Sequence, residues 1–138
     1  MEKHWAKVIS IPMGEVDPNT EYEKQLEHNF GICKETCGSE NLCMSFVRIK
    51  PGKRSRAHYH IYGDLAQYFI KGHGVYIIGY GTEDEVTYEL NPGTFIYIPR
   101  GVIHVIKNTG TEDMESITAY NCASGDATGK FFCEPPLE

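Results

Sequence analysis

Short runs of β-branched and aromatic residues recur along this chain, each cut off by Gly, Pro, Asn or Asp, a rhythm that points to an all-β sandwich or barrel. The runs are AKVISIP, LCMSFVRIK, SRAHYHI, AQYFIK, GVYIIGY, EVTYEL, TFIYIP, VIHVIKN and ESITAYN. Between them stand KPGKR, KGHG, GTEDE, NPG, PRG and NTGTED, each holding a residue able to take the backbone angles of a tight turn. Only NTEYEKQLEHNFG has helical character, with Asn19 or Thr20 as its cap and Gly31 as its stop, so at most one short helix near the N-terminus is expected. A length of 138 residues suits a single domain over residues 1–138, long enough to bury a core and too short to divide comfortably.

A net charge of -6 argues against a general nucleic-acid partner, whose affinity would rest on Lys and Arg neutralising phosphates. No apolar run is long enough to span a bilayer, so no membrane partner is expected. The opening MEKHWAKVISIPMGE lacks the apolar stretch and small-residue cleavage site of a signal peptide, which makes the cytoplasm the expected location. The cysteines, Cys33, Cys37, Cys43, Cys122 and Cys133, are odd in number and without paired CxxC spacing. In a reducing compartment they read as free thiols. The three in GICKETCGSENLC fit no standard zinc spacing and suggest small buried thiols, or a redox-sensitive loop that folds over the barrel.

Two histidines stand one residue apart in AHYHIYGDLAQYFIKGHG. Residues two apart on a strand share a face, so His58 and His60 point the same way. If that face is the inside of a small barrel, both rings converge. PGTFIYIPRGVIHVIKN then supplies His104 from another strand. Three neutral imidazoles from two strands can hold a divalent transition metal, although an HxH pair alone is common enough to arise by chance.

These residues resemble the single-domain cupins. Gly52, His58, His60 and Gly72 fall on the fixed positions of that family's first motif, and Gly93, Pro99, Gly101, His104 and Asn108 match every fixed position of its second. Together the motifs span residues 52–108. The resemblance implies a jelly-roll β-barrel with His58, His60 and His104 as metal ligands inside it. Family habit adds a homodimer.

The chain departs from the family at the glutamate that usually completes the ligand set. Counting back from Gly72 reaches Leu65. Gln67 shares its face and could offer a carbonyl oxygen; Asp64 would need a local bulge. A three-histidine site with open positions is the first expectation, and it leaves the metal its full charge, which suits small anionic substrates or O2. Several three-histidine cupins are iron oxygenases, so iron and oxygenase chemistry lead. Zinc, manganese, nickel or copper, isomerase, lyase or cyclase chemistry, and a non-catalytic sensor or binding module are the alternatives. Arg54 and Arg56 have the parity of the histidines and could clamp a carboxylate or phosphate if KRSRAHYH is one strand, or form a solvated strand end if it is not. Asn108 reads as a structural turn residue, His73 as a surface turn residue, and His28 carries no pattern. No general acid or base stands out.

Overall fold

The computed structural model describes residues 8–20 and 23–137. It contains β1 (Leu26–Ile32), β2 (Cys43–Ile49), β3 (His58–His60), β4 (Leu65–Lys71), β5 (Gly74–Ile78), β6 (Val86–Leu90), β7 (Phe95–Ile98), β8 (His104–Asn108), β9 (Met114–Tyr120) and β10 (Lys130–Phe132), with one α-helical turn, α1 (Lys34–Cys37), and two 3-10 turns, Met13–Glu15 and Asp126–Thr128. The strands make two five-stranded sheets, ordered β1-β2-β9-β4-β7 and β10-β3-β8-β5-β6, and every pairing is antiparallel. No helix among the described residues is long and apolar enough to cross a membrane.

Most of the strand runs fold as their alternation predicts. Two differences concern the N-terminal part. The segment expected to be helical instead forms β1, paired with β2 from Leu26↔Ile49 to Ile32↔Met44. Its own propensity is weak, and the inward burial of Leu26 and His28 against a neighbouring strand outweighs it. Glu21 and Tyr22 of that segment lie outside the described residues, as do Ala6 and Lys7 of AKVISIP. The rest of AKVISIP is not a strand, and Val8 and Ile9 are exposed without a sheet to join. In addition, β10 arises from a three-residue stretch too short to carry a periodic signal.

The faces that meet between the sheets differ along the barrel. Ile49, Phe69, Leu90 and Met114 are buried together in one apolar cluster. Gly74 belongs to this closure, since a Cβ there would meet Met114 Sδ at 2.6 Å. Further along, the inward positions of β2, β4 and β9 turn polar at Ser45, Gln67, Ser116 and Thr118. Each finds a partner: Ser45 and Thr118 share a short hydroxyl contact, and Gln67 Nε2 donates to Ser116 Oγ at 2.8 Å. Buried polar groups are tolerated only when paired in this way, and the pairing makes an interior suited to polar chemistry.

Asn108 closes β8 and is fully buried. Its amide donates to the carbonyls of Ile49 and Glu112, each at 2.8 Å, and its carbonyl oxygen accepts from Gly110 N at 2.9 Å. The side chain therefore ties both sheets to the turn after β8. Asn108→Ala is expected to lower unfolding free energy by about 2–4 kcal/mol, because it orphans buried backbone groups as well as losing the bonds. Urea unfolding should show an earlier midpoint; an unchanged midpoint would contradict this role.

Candidate metal centre

The three motif histidines meet inside the barrel. β3 and β8 pair so that His58 faces His104, and alternation on β3 brings His60 to the same side. Ring centroids are 4.2 Å apart for His58 and His104, 5.3 Å for His58 and His60, and 5.5 Å for His60 and His104. One ligating nitrogen from each falls within 4.8 Å of the others, and all three side chains are buried. Among the described residues no carboxylate or thiol joins this cluster.

The hydrogen bonds decide which nitrogen each ring presents. His58 Nδ1 donates to the Arg56 carbonyl at 2.7 Å, and His104 Nδ1 donates to the Val102 carbonyl at 2.8 Å. His60 Nδ1 lies 2.7 Å from Thr128 Oγ1, whose own proton is directed to the Gly125 carbonyl at 2.7 Å, so the imidazole must be the donor. All three rings thus carry their proton on Nδ1 and turn a lone pair outward on Nε2, as ligating histidines do. His60 Nε2 is buried without a hydrogen-bond partner, an expensive arrangement unless a cation takes the lone pair.

Burial keeps these rings neutral. It lowers His60 to about 3 and His104 to about 4, and holds His58 well below the ordinary range. Lys130 adds to the effect on all three. The donor set, tautomers and protonation all fit a divalent transition metal.

The other expected residues are placed as follows. Gln67 faces the interior and lines the same cavity as His58 and His104, but its Oε1 accepts the Tyr76 hydroxyl at 2.5 Å. Asp64 stands apart from the cluster: its carboxylate accepts from Arg100 N at 3.0 Å and Nε at 3.1 Å, and from Asn121 Nδ2 at 3.3 Å. No bulge turns it inward, because it precedes β4, and Arg100 holds its carboxyl down to about 2. The segment KRSRAHYH is not one strand; β3 begins at His58, and Arg54 makes only an isolated bridge with Lys107. Neither the clamp nor the solvated strand end describes Arg54 and Arg56, whose guanidinium groups reach carboxylates of the protein itself. Arg54 forks onto Glu134 with two contacts of 2.9 Å, and Arg56 Nε lies 3.4 Å from Glu23. His73 is at the surface, bonded to Asn91. All five cysteines are free, with Cys33 and Cys43 buried.

Two residues that sequence reasoning missed also reach this interior. His28 on β1 is buried with Nδ1 unpartnered, and it stacks on Phe30 with centroids 5.2 Å apart. Lys130 on β10 lies opposite His60. Alternation would have placed His28 inward had its segment been read as a strand; for Lys130 no local signal exists. A chamber of about 20 Å³ is lined by His28, Phe30, His60, Tyr120, Gly125 and Lys130. Phe30 and Gly125 also border an outer cavity of about 320 Å³, whose rim includes Cys33, Glu35 and Thr36 around α1. The cysteine-bearing segment therefore flanks this outer cavity.

A two-sheet antiparallel barrel that gathers three Nε2 lone pairs at one buried point is, as a class, a β-barrel with a candidate metal centre. The chain belongs to the cupin family: the family's model, described as the cupin domain, matches residues 45–120. No curated protein sequence matches it. Among solved structures it is similar to oxalate decarboxylase from Lactobacillus farciminis in a formate complex, at 20% identity and a TM-score of 0.73, covering 88% of this chain and 34% of that one. It is also similar to the polyketide cyclase RemF from Streptomyces resistomycificus, at 19% identity, TM-score 0.71, and coverage of 83% and 80%. A third similar structure is an uncharacterised conserved protein with a double-stranded β-helix domain from Klebsiella pneumoniae, at 16% identity, TM-score 0.70, and coverage of 93% and 99%. The chain spans about a third of the oxalate decarboxylase, and at these identities the likeness shows the fold alone.

Proposed function

We propose that this chain is a metal-dependent enzyme acting on a small anionic molecule, with His58, His60 and His104 holding a divalent transition metal. The observation that carries the reading is the set of three buried Nδ1-protonated imidazoles, one with an orphaned Nε2. When bound, such a metal would supply Lewis-acid or O2-activating chemistry. The chain's own contribution is to fix the rings, exclude water and hold protons. Tyr76 and Tyr120, whose hydroxyl pKa values burial raises, stay protonated; Tyr76 steadies Gln67 beside the cluster. The chambers beside the histidines are small, each with room for about one water-sized group.

Iron and oxygenase chemistry are favoured on the all-histidine donor set. Manganese stands beside iron, since a further similar structure, Bacillus subtilis oxalate decarboxylase, is described by its Mn(II) centres. Isomerase, lyase or cyclase chemistry would use the same ligands. A non-catalytic binding module is the second reading, favoured by the absence of any carboxylate or thiol from the cluster among the described residues.

The test is the metal content of protein purified without a histidine tag or added metal, measured by mass spectrometry. Near-stoichiometric iron or manganese is expected, followed by oxygen uptake with a panel of small acids. Protein that carries no metal and takes none up on titration would overturn the reading.

A further inference from the structure

A register shift between Phe30 and Ile32 resets the pairing of β1 with β2, and the last registered pair is Ile32↔Met44. Met44 points outward and is exposed. The chain stays extended for one more residue, with Cys33 at φ -166° and ψ 178°, so the next position after β1 opposes the first of β2 and Cys33 faces Cys43. Alternation turns this pair inward, and both side chains are buried in the core cluster. Directly opposed residues of an antiparallel pair hold their Cα atoms about 4.5–5.5 Å apart, inside the range of about 4.4–6.8 Å that a disulfide spans.

The two thiols differ in access. Cys33 lines the open outer cavity of about 320 Å³. Cys43 is sealed beneath it, opposite Tyr120 on β9, with its sulfur against the Gly125 backbone; burial raises its pKa to about 12, and Cys33 is the next contributor to that rise. The other cysteines are directed elsewhere. Cys37 Sγ donates to the Cys33 carbonyl at 3.3 Å, Cys122 Sγ donates to the Tyr62 carbonyl at 3.5 Å, and Cys133 is exposed. Between Cys33 and Cys43 the chain makes α1, closed by Cys37 N on the Cys33 carbonyl at 3.1 Å and Gly38 N on the Lys34 carbonyl at 2.9 Å.

We propose that Cys33 and Cys43 are a peroxide-sensitive thiol pair that closes to a cross-strand disulfide and fixes α1 against the barrel. The Cys33 sulfur attacks one oxygen of hydrogen peroxide: the S–O bond forms, the O–O bond breaks, and the thiol proton leaves with the departing hydroxide as water. The Cys43 sulfur then attacks the sulfenic sulfur of Cys33. The S–S bond forms as S–O breaks, and the Cys43 proton leaves with that hydroxide as a second water. Two thiols give up two electrons, and one peroxide takes them. The order follows from access, since the oxidant reaches Cys33 through the cavity and Cys43 only through Cys33. The pair does not depend on the histidines holding a metal.

The experiment treats dilute metal-free protein with hydrogen peroxide and maps its disulfides by peptide mass spectrometry without reduction. A peptide joining Cys33 to Cys43 is expected, and dithiothreitol should remove it. Cys37→Ser should keep the link. Cys43→Ala should lose it and leave Cys33 as a sulfenic acid that dimedone labels, whereas Cys33→Ser should lose the link without labelling Cys43. Cys33→Ser reads the loss by itself if the alanine variant does not fold. Amide hydrogen exchange at Cys37 and Gly38 should slow by about 10-fold or more in the oxidised wild type, because closing a short loop limits its opening. Cys33 and Cys43 both still reduced under conditions that oxidise the exposed Cys133 would overturn the inference, as would a link from Cys33 to Cys37 or from Cys43 to Cys122. Unchanged exchange in protein that carries the Cys33–Cys43 link would overturn the role of the pair in fixing α1.

Discussion

His104→Ala is expected to lower divalent-metal affinity by at least about 100-fold, since loss of even an outer-shell partner of a ligand commonly costs 10–100-fold. His104 faces His58 in register and is the contribution of β8 to the cluster, so neither residue of the HxH pair can replace it. Its Nδ1 bond to the Val102 carbonyl orients the ring before any metal arrives. His73→Ala is the matched control, because His73 is a surface histidine bonded to Asn91. Metal stoichiometry and competition against a chromophoric chelator would measure the effect, with circular dichroism to establish that both variants fold. Retention of metal by His104→Ala at wild-type affinity would remove the three-histidine centre from consideration.

The parts of the molecule legible in its sequence are those whose physics is local. Runs of β-branched and aromatic residues bounded by turn residues marked most of the strands, and the spacing of His58 and His60 put both rings on one side. The turn chemistry of Pro99 to Gly101 brought His104 to the face they share, and Asn108 proved to be the structural residue expected at the end of β8, bonded to Gly110 N and buried between the sheets. What escaped was decided by partners distant in the chain. β1 was hidden because its residues prefer helix weakly and strand only in the company of β2, and with it went His28. β10 has three residues, too few for a period, yet β3 captures it and thereby carries Lys130 to the site. The basic pair Arg54 and Arg56 had the right parity, but carboxylates from residues 23 and 134 determine where their charges go, and no local reading brings those residues together.

Acid should unfold the metal-free protein steeply. In an unfolded chain each histidine titrates near 6.5. In the fold, burial lowers His28 to about 3, His60 to about 3 and His104 to about 4, and keeps His58 well below its ordinary value. The sign follows from proton counting. Below pH 6.5 the unfolded state binds protons that the native state refuses, so stability is full above that pH and falls as pH drops toward the folded values. Each such ring removes about 1.4 kcal/mol per pH unit, and the four together about 5 kcal/mol per unit while all remain neutral. A domain stabilised by about 5–15 kcal/mol would then unfold within roughly one to three units below pH 6.5. Urea midpoints at pH 7, 6 and 5 would measure the slope. His28→Gln, which removes one buried imidazole from outside the ligand set, should reduce it by about a quarter. A metal on the three Nε2 atoms competes with protons for the same lone pairs, so the loaded protein should hold its midpoint to lower pH than the metal-free form. A metal-free midpoint that stays flat from pH 7 to 5 would mean that the rings take up protons in the fold over the same range as in the unfolded chain, and the neutral ligand set would have to be abandoned below pH 6.5.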